Sequence, residues 1–141
     1  MKSIKHISII IFAIAIVSVF MAFITPQDQK KGEKWDIPEK YQTMVNSYAG
    51  DASLKKIGKM LYSKHCKSCH GSKGLGDGSK AAQLDTFPGD FSSAEFKEHT
   101  PGDMYYMTYV GRDEMESFEK KISDEEDQWA VIMYLAGLQN N

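Results

Sequence analysis

The chain has 141 residues with a formal net charge of −2 at pH 7, and 42% of its residues are hydrophobic. This length predicts one domain. The charge lacks the basic excess of a nucleic-acid binder, so nucleic acid is excluded as a partner.

Residues 7–24 form an almost wholly apolar run that follows Lys2 and Lys5. As a helix, a run of eighteen residues rises about 27 Å, close to the roughly 30 Å hydrocarbon core of a bilayer. A positive start before such a run is typical of an export element, and it leaves the N-terminus in the cytoplasm. Residues 1–25 are therefore predicted to be a signal anchor or signal peptide, with the rest of the chain in a bacterial periplasm.

A retained inner-membrane anchor is favoured over a cleaved leader. The small residues Ala13 and Ala15 lie in the middle of the run. A cut after Ala22 would place the bulky Phe20 at the third position before the cleavage site. Both arrangements are poor for a signal peptidase. A soluble periplasmic protein, released by cleavage, is the alternative.

Residues 26–50 are predicted to be a polar linker, with Pro38 biasing the preceding residue away from helical geometry. Two aromatic residues stand out within it, Trp35 and Tyr41. They are interpreted either as docking on the domain or on a membrane partner, or as surface residues of a tether.

The next pattern predicts a helix over residues 52–65, capped by Asp51 or Ser53. Apolar side chains recur on one face at helical spacing, at Leu54, Ile57, Leu61 and Tyr62. A glycine inside a helix costs roughly 1 kcal/mol relative to alanine. Gly58 therefore predicts the close approach of a bulky group, with Tyr134 as the expected partner, unless the glycine is merely tolerated.

Residues 66–70 read Cys-Lys-Ser-Cys-His, the signature for attachment of c-type haem. The spacing lets both sulfurs add to the two vinyl groups of one porphyrin while the histidine binds the iron. Cys66 and Cys69 are therefore predicted to attach one haem c, with His70 as an axial ligand.

Two cysteines and a histidine at this spacing also occur in three other kinds of site. A structural zinc site needs four ligands, but the chain has only two cysteines, and His65 and His70 lie directly beside them. A thioredoxin-like redox pair expects a strand before the motif, whereas the flanking residues look helical. A disulfide between Cys66 and Cys69 stays open, although it would close a very short loop.

With Gly58, Tyr62 and the motif in these positions, residues 51–138 resemble the class I monohaem cytochromes c. The resemblance implies an all-α, cytochrome c-like domain over residues 51–141. In it, three to five helices wrap around one covalently bound haem, after an N-terminal transmembrane or signal helix.

Residues 71–78 contain four glycines, and a similar run follows the motif in the resembling proteins. No strand precedes this run and no Gly-Lys-Ser/Thr ending opens a helix, so a phosphate loop is set aside. The run is interpreted as flexible backbone that wraps around the edge of the haem ring. A metal-bound imidazole usually donates its second proton to an oxygen, and the resemblance makes the carbonyl of Pro88 the nearest match. Phe87 and Phe91 are expected to pack on the ring or in the core.

Thr100, Pro101 and Asp103 predict a helix start, and Gly111 predicts its end after Val110. Large apolar side chains of this helix are expected to pack against the haem or in the core, and its tyrosine hydroxyls are hypothesised to reach the haem propionates. The side chains concerned are Met104, Tyr105, Met107, Tyr109 and Val110.

Met115 is the candidate for the second axial ligand among eight methionines. Methionines in predicted helices, at 104, 107 and 133, are usually filler, whereas Met115 lies in a loop between Glu114 and Glu116. The loop also resembles the ligand loop of the family, Gly-x-x-x-Met-Pro-x-Phe. Glu116 replaces the usual proline, a change expected to make the bond from Met115 to iron more labile.

Ser123 to Glu126 predict a capping box at the start of the last helix, which is expected to cross the first and close the haem crevice. Trp129 is interpreted either as a donor to a propionate or as core. Four lysines are weighed as a docking patch against an ordinary mixed surface: Lys67, Lys73, Lys120 and Lys121.

Together these features predict an electron carrier rather than an enzyme, since His70 and Met115 leave no iron position open to substrate. Redox proteins or respiratory-complex subunits are the expected partners, with the membrane contacted through residues 7–24. Two alternatives stay open. The chain is the haem subunit of a larger respiratory complex, or a labile Met115 makes it reactive toward gases or peroxide.

Overall fold

The computed structural model describes residues 29–140, and this part of the chain is helical. Its three longer helices are α2 (Leu54–His65), α5 (Pro101–Val110) and α6 (Glu125–Leu138). Single turns lie between or before them: α1 (Glu39–Gln42), α3 (Lys67–His70), a 3₁₀ turn (Ala81–Gln83) and α4 (Ala94–Lys97). Within residues 29–140 there is no strand, only isolated bridges from Lys30 to Thr86 and from Arg112 to Met115. The all-α prediction is confirmed for this range.

The predicted apolar helix over residues 7–24 lies outside the described residues. Among the helices that are described, none has the length and apolar character needed to cross a bilayer.

Helices α2 and α6 pack directly on one another, as the position of Gly58 predicts. A Cβ atom built at Gly58 would overlap the carbonyl oxygen of Ala130 and lie 2.7 Å from its carbonyl carbon. The same atom would be 3.1 Å from Cβ of Tyr134. Tyr134 therefore does lie against Gly58, as predicted, but the carbonyl of Ala130 is closer, because the two backbones approach each other directly. The Tyr134 ring also contacts the ring of Tyr62, with centroids 5.1 Å apart.

The predicted start of α5 is confirmed. The Thr100 side chain accepts a hydrogen bond from the backbone N–H of Asp103 at 3.1 Å, and the Asp103 carboxylate accepts one from the N–H of Thr100 at 2.8 Å. This reciprocal pair satisfies two N–H groups that a helix start leaves unpaired. The helix ends at Gly111, whose φ of 69° suits glycine.

The start of α6 differs from the prediction. Asp124, not Ser123, is the N-cap, and its carboxylate accepts a hydrogen bond from the N–H of Glu126 at 3.0 Å. A carboxylate at this place also interacts favourably with the positive end of the helix dipole. α6 then buries side chains on most of its surface: Gln128, Trp129, Ala130, Val131, Ile132, Leu135 and Leu138.

The segment before Gly50, predicted to be a polar linker, packs on the domain, which agrees with the interpretation that Trp35 and Tyr41 dock there. Its aromatic and aliphatic side chains pack against the buried core, at Trp35, Ile37, Tyr41, Met44 and Tyr48. The Tyr41 ring lies 4.8 Å from the ring of Tyr106, and a Cβ atom at Gly102 would overlap the carbonyl of Tyr41. The apolar residues spaced through this polar stretch are what attach it to α5.

Candidate haem site

The two cysteines and the histidine of the motif lie together at the junction of α2 and α3. The backbone N–H groups of Cys69 and His70 both donate to the carbonyl of Cys66, at 3.2 and 3.0 Å. A single turn therefore presents two sulfurs and one imidazole. Both thiols are free, with Cys66 buried and Cys69 partly buried.

The setting of Cys66 argues against the alternative of a redox-active pair. Burial raises the pKa of the Cys66 thiol to about 12, so this thiol stays protonated at neutral pH. Reactive cysteines of redox enzymes have a lowered pKa and electropositive surroundings.

The structure also bears on the zinc alternative. Within residues 29–140, no three His, Cys, Asp or Glu side chains lie close enough to hold a metal ion.

The His70 side chain has the protonation state that a metal ligand needs. Burial lowers its pKa to about 4, so the imidazole is neutral at pH 7 and keeps a nitrogen lone pair. Its ring stacks on Phe91 with centroids 4.8 Å apart, which places Phe91 in contact with the motif. Its Nδ1 atom is buried without a hydrogen-bond partner in the described part of the chain. A neutral, partly buried imidazole beside two free thiols fits covalently bound haem.

The predicted hydrogen bond from His70 to the carbonyl of Pro88 is not formed, since Nδ1 has no partner among residues 29–140. The residues around Pro88 follow a different course. Phe87 is 40% exposed and lies over Gly76, while Phe91 donates its backbone N–H to the carbonyl of Gly74 at 2.7 Å.

The glycine-rich loop folds back onto the motif. Gly76 and Gly78 donate their N–H groups to the carbonyls of His70 and Cys69, at 3.0 and 3.1 Å. A Cβ atom at Gly78 would lie 2.5 Å from the carbonyl carbon of Ser68, so only glycine fits there. The backbone of the glycine-rich loop thus packs directly against the turn that carries Cys66, Cys69 and His70.

Tyr62 fixes the end of this turn. Its hydroxyl donates a buried hydrogen bond to the carbonyl of Gly71 at 2.6 Å, and burial raises the pKa of the phenol. The aromatic residue predicted from the resemblance therefore connects α2 to the residue directly after His70.

Replacing Tyr62 by phenylalanine should lower the free energy of unfolding by about 1–3 kcal/mol, because the buried carbonyl of Gly71 loses its donor. Urea denaturation measures the change. Tyr134→Phe is the matched control, since the Tyr134 ring meets that of Tyr62 while its hydroxyl makes no hydrogen bond in the described structure. Equal losses in the two variants would contradict this role for Tyr62.

Met115 lies in a tight turn. Arg112 and Met115 exchange both backbone hydrogen bonds, at 2.7 and 2.8 Å, and Asp113 between them has a φ of 49°. The loop continues to Phe118, which is buried with its ring 5.9 Å from that of His65. The loop is therefore joined to the end of α2 beside Cys66, while ligation of iron by Met115 stays a prediction.

The other candidates lie in the core that contains Cys66 or on the surface. Met104 and Met107 are buried in the core, as expected for filler. The Trp129 indole N–H lies 3.4 Å from the Glu125 carboxylate and its ring 4.7 Å from that of Tyr105, which agrees with the core interpretation. Lys121 pairs with Glu116 at 2.5 Å, in keeping with a mixed surface rather than a free basic patch.

Two residues with many contacts, Arg112 and Glu114, received no role from the sequence. Their side chains bond backbone groups 28 to 79 residues away in the chain. No periodic or motif signal marks such partners, because any residue type offers the same backbone groups.

Comparison with known proteins gives one family. The model described as cytochrome C oxidase, cbb3-type, subunit III matches residues 53–135, more than half of the chain. The matched range includes the motif, the glycine-rich loop and Met115. No curated protein matches the chain.

Proposed function

Because the chain belongs to the family described as cytochrome C oxidase, cbb3-type, subunit III, and is a class I monohaem c-type cytochrome, we propose that it carries single electrons in a respiratory chain. The cytochrome c domain itself indicates haem-based electron transfer. The respiratory role and the periplasmic side of the membrane are the parts that we propose.

The observation that carries this proposal is the single turn that holds Cys66, Cys69 and a neutral, partly buried His70. The cysteines would hold the haem by two thioether bonds, and His70 and Met115 would bind the iron. The bound haem supplies a one-electron Fe(II)/Fe(III) couple. Methionine as the partner of histidine raises the potential of such a couple. With two protein ligands no iron position is open, which supports a carrier rather than an enzyme.

We propose that residues 7–24 anchor the protein in the inner membrane, with the haem domain in the periplasm. The support is the apolar run after Lys2 and Lys5, the positive residues that favour a cytoplasmic N-terminus. Cleavage of this run, which would leave a soluble periplasmic protein, is the alternative.

A second candidate is a haem subunit fixed within a larger respiratory complex. The description of the family, which names subunit III of an oxidase, supports it. A free carrier and a fixed subunit would use the same haem chemistry and differ in their partners.

Carbon monoxide binding tests the carrier proposal. The reduced full-length protein should resist carbon monoxide at neutral pH, because His70 and Met115 would both bind the iron. Rapid binding would contradict pure electron transfer and favour a gas- or peroxide-reactive protein. Purification in mild detergent separates the two candidates: a free carrier purifies alone, whereas a fixed subunit brings other membrane subunits with it.

A further inference from the structure

The turn that carries Met115 is attached to two distant segments by the side chains of Arg112 and Glu114, which both precede Met115. We call residues 111–118 the ligand loop and residues 29–37 the strap. Glu114 of the ligand loop accepts hydrogen bonds at both carboxylate oxygens, from the N–H of Asp85 at 3.1 Å and from that of Thr86 at 3.0 Å. A bidentate contact of this kind fixes the orientation of the loop as well as its distance.

The strap reaches the same two-residue segment from another direction. The N–H of Lys30 donates to the carbonyl of Asp85, and the N–H of Phe87 donates to the carbonyl of Lys30, each at 3.0 Å. Residues 85–87 are thus hydrogen-bonded to the strap through Asp85 and Phe87, and to the ligand loop through Asp85 and Thr86. Three pieces of chain far apart in sequence meet at this point.

Arg112 makes a second, independent connection to the strap. Its guanidinium donates to the carbonyl of Lys34 at 3.1 Å and to that of Glu33. The same group lies over the Trp35 ring, 4.1 Å from its centroid, where a cation is attracted by the ring face. The planar guanidinium therefore joins two backbone carbonyls and one aromatic side chain.

The ligand loop has a weakness that these contacts offset. Glu116 stands where the resembling proteins have a proline, so the residue after Met115 lacks that stiffening. Asp113, inside the turn, has the left-handed φ of 49°, which non-glycine residues adopt at a cost. Arg112 and Glu114 lie on either side of Asp113, and Arg112 exchanges two backbone hydrogen bonds with Met115.

We propose that Arg112 and Glu114 are positioning residues that hold Met115 for the iron, by joining the ligand loop to the strap and to Asp85 and Thr86. This inference rests on the proposed role of Met115 as a ligand. In this arrangement the strap supports the axial methionine from the outside, in place of the missing proline.

The test compares Glu114→Ala with Glu116→Ala in the full haem-loaded chain. Both variants remove one negative charge beside Met115, but Glu116 makes only an exposed ion pair with Lys121, a contact of small worth. Imidazole, added to the oxidised protein, competes with Met115 for iron. Two hydrogen bonds of ordinary strength correspond to roughly a tenfold change in an equilibrium. Glu114→Ala should therefore raise imidazole affinity about tenfold, and Glu116→Ala should change it less than about twofold.

A second measurement monitors the hydrogen bonds between Glu114 and the backbone N–H groups directly. Amide hydrogen exchange at Asp85 and Thr86 should speed up in Glu114→Ala and stay unchanged in Glu116→Ala, since only Glu114 accepts from these N–H groups. Glu114→Gln, which keeps one acceptor oxygen, should give an intermediate imidazole affinity, and it replaces Glu114→Ala if that variant fails to fold.

Three results would overturn the inference, and each has a different meaning. Faster exchange with unchanged imidazole affinity would make Glu114 a structural residue that does not position Met115. Unchanged exchange would show that the contact is not formed in solution. A wild-type spectrum without the sulfur-to-iron band would contradict ligation by Met115, and with it both the inference and that part of the proposed function.

Discussion

Replacing Met115 by alanine should abolish the weak sulfur-to-iron absorption band at the red end of the spectrum of the oxidised protein. The reduced variant should bind carbon monoxide rapidly at neutral pH, because the position opposite His70 is then open. Its reduction potential should fall, since loss of the methionine removes a ligand that favours Fe(II). Absorption spectroscopy and a redox titration measure these changes.

The chain offers two controls for this result. Met60 is 59% exposed on α2, so Met60→Ala should leave the band, the potential and the stability close to those of the wild type. Met107 is buried, so Met107→Ala should keep the band but lower the free energy of unfolding by about 2–5 kcal/mol. A band that survives in Met115→Ala and disappears in Met107→Ala would transfer the ligand role to Met107.

Replacing Gly58 by alanine should destabilise the protein by about 1–3 kcal/mol, although alanine is the better helix former. The added Cβ atom overlaps the carbonyl of Ala130, so α2 and α6 must move apart. Neither contacting group is a flexible side-chain end that can turn away. Thermal or urea unfolding of the haem-loaded protein measures the loss.

Gly137 in α6 is the matched control, because a Cβ atom there meets nothing within 4 Å. Gly137→Ala should stabilise the protein by about 0.5–1 kcal/mol through helix propensity alone. Stabilisation by both substitutions would show that α2 and α6 do not cross at Gly58 as closely as the structure places them.

Local signals in the sequence were enough for the parts of the fold that depend on neighbouring residues. Thr100 and Asp103 form their capping pair because a threonine and an acid three residues apart can satisfy each other's N–H groups in any protein. The motif around His70 could be recognised for a similar reason, since covalent attachment needs a fixed short spacing.

Choices between adjacent residues were harder to predict. Ser123 and Asp124 are both good N-caps. Which of them starts α6 depends on the backbone conformation at the end of the preceding loop. For Gly58, the sequence indicated a close approach and pointed to the aromatic residue Tyr134, which does lie nearby. The nearest group is a backbone carbonyl, that of Ala130, and the sequence could not single it out because every residue of α6 carries one.

The hydrogen bonds that join the strap to Arg112 and to residues 85–87 could not be predicted, because on the strap side they all involve backbone groups. Composition marks residues 26–50 as polar, and polar stretches are commonly linkers. The bonds from Arg112 to Lys34, and from Lys30 to Asp85, depend on long-range placement and not on residue type. Trp35 and Tyr41 were the visible signals, aromatic residues in polar surroundings, and both pack on the domain.

The most direct test of the central claim is the mass of the purified, exported protein, read together with its absorption spectrum. A polypeptide heavier by one haem, coloured, and showing the sulfur-to-iron band when oxidised is the result expected from Cys66, Cys69, His70 and Met115. A colourless protein whose mass is that of its amino acids alone would contradict the account.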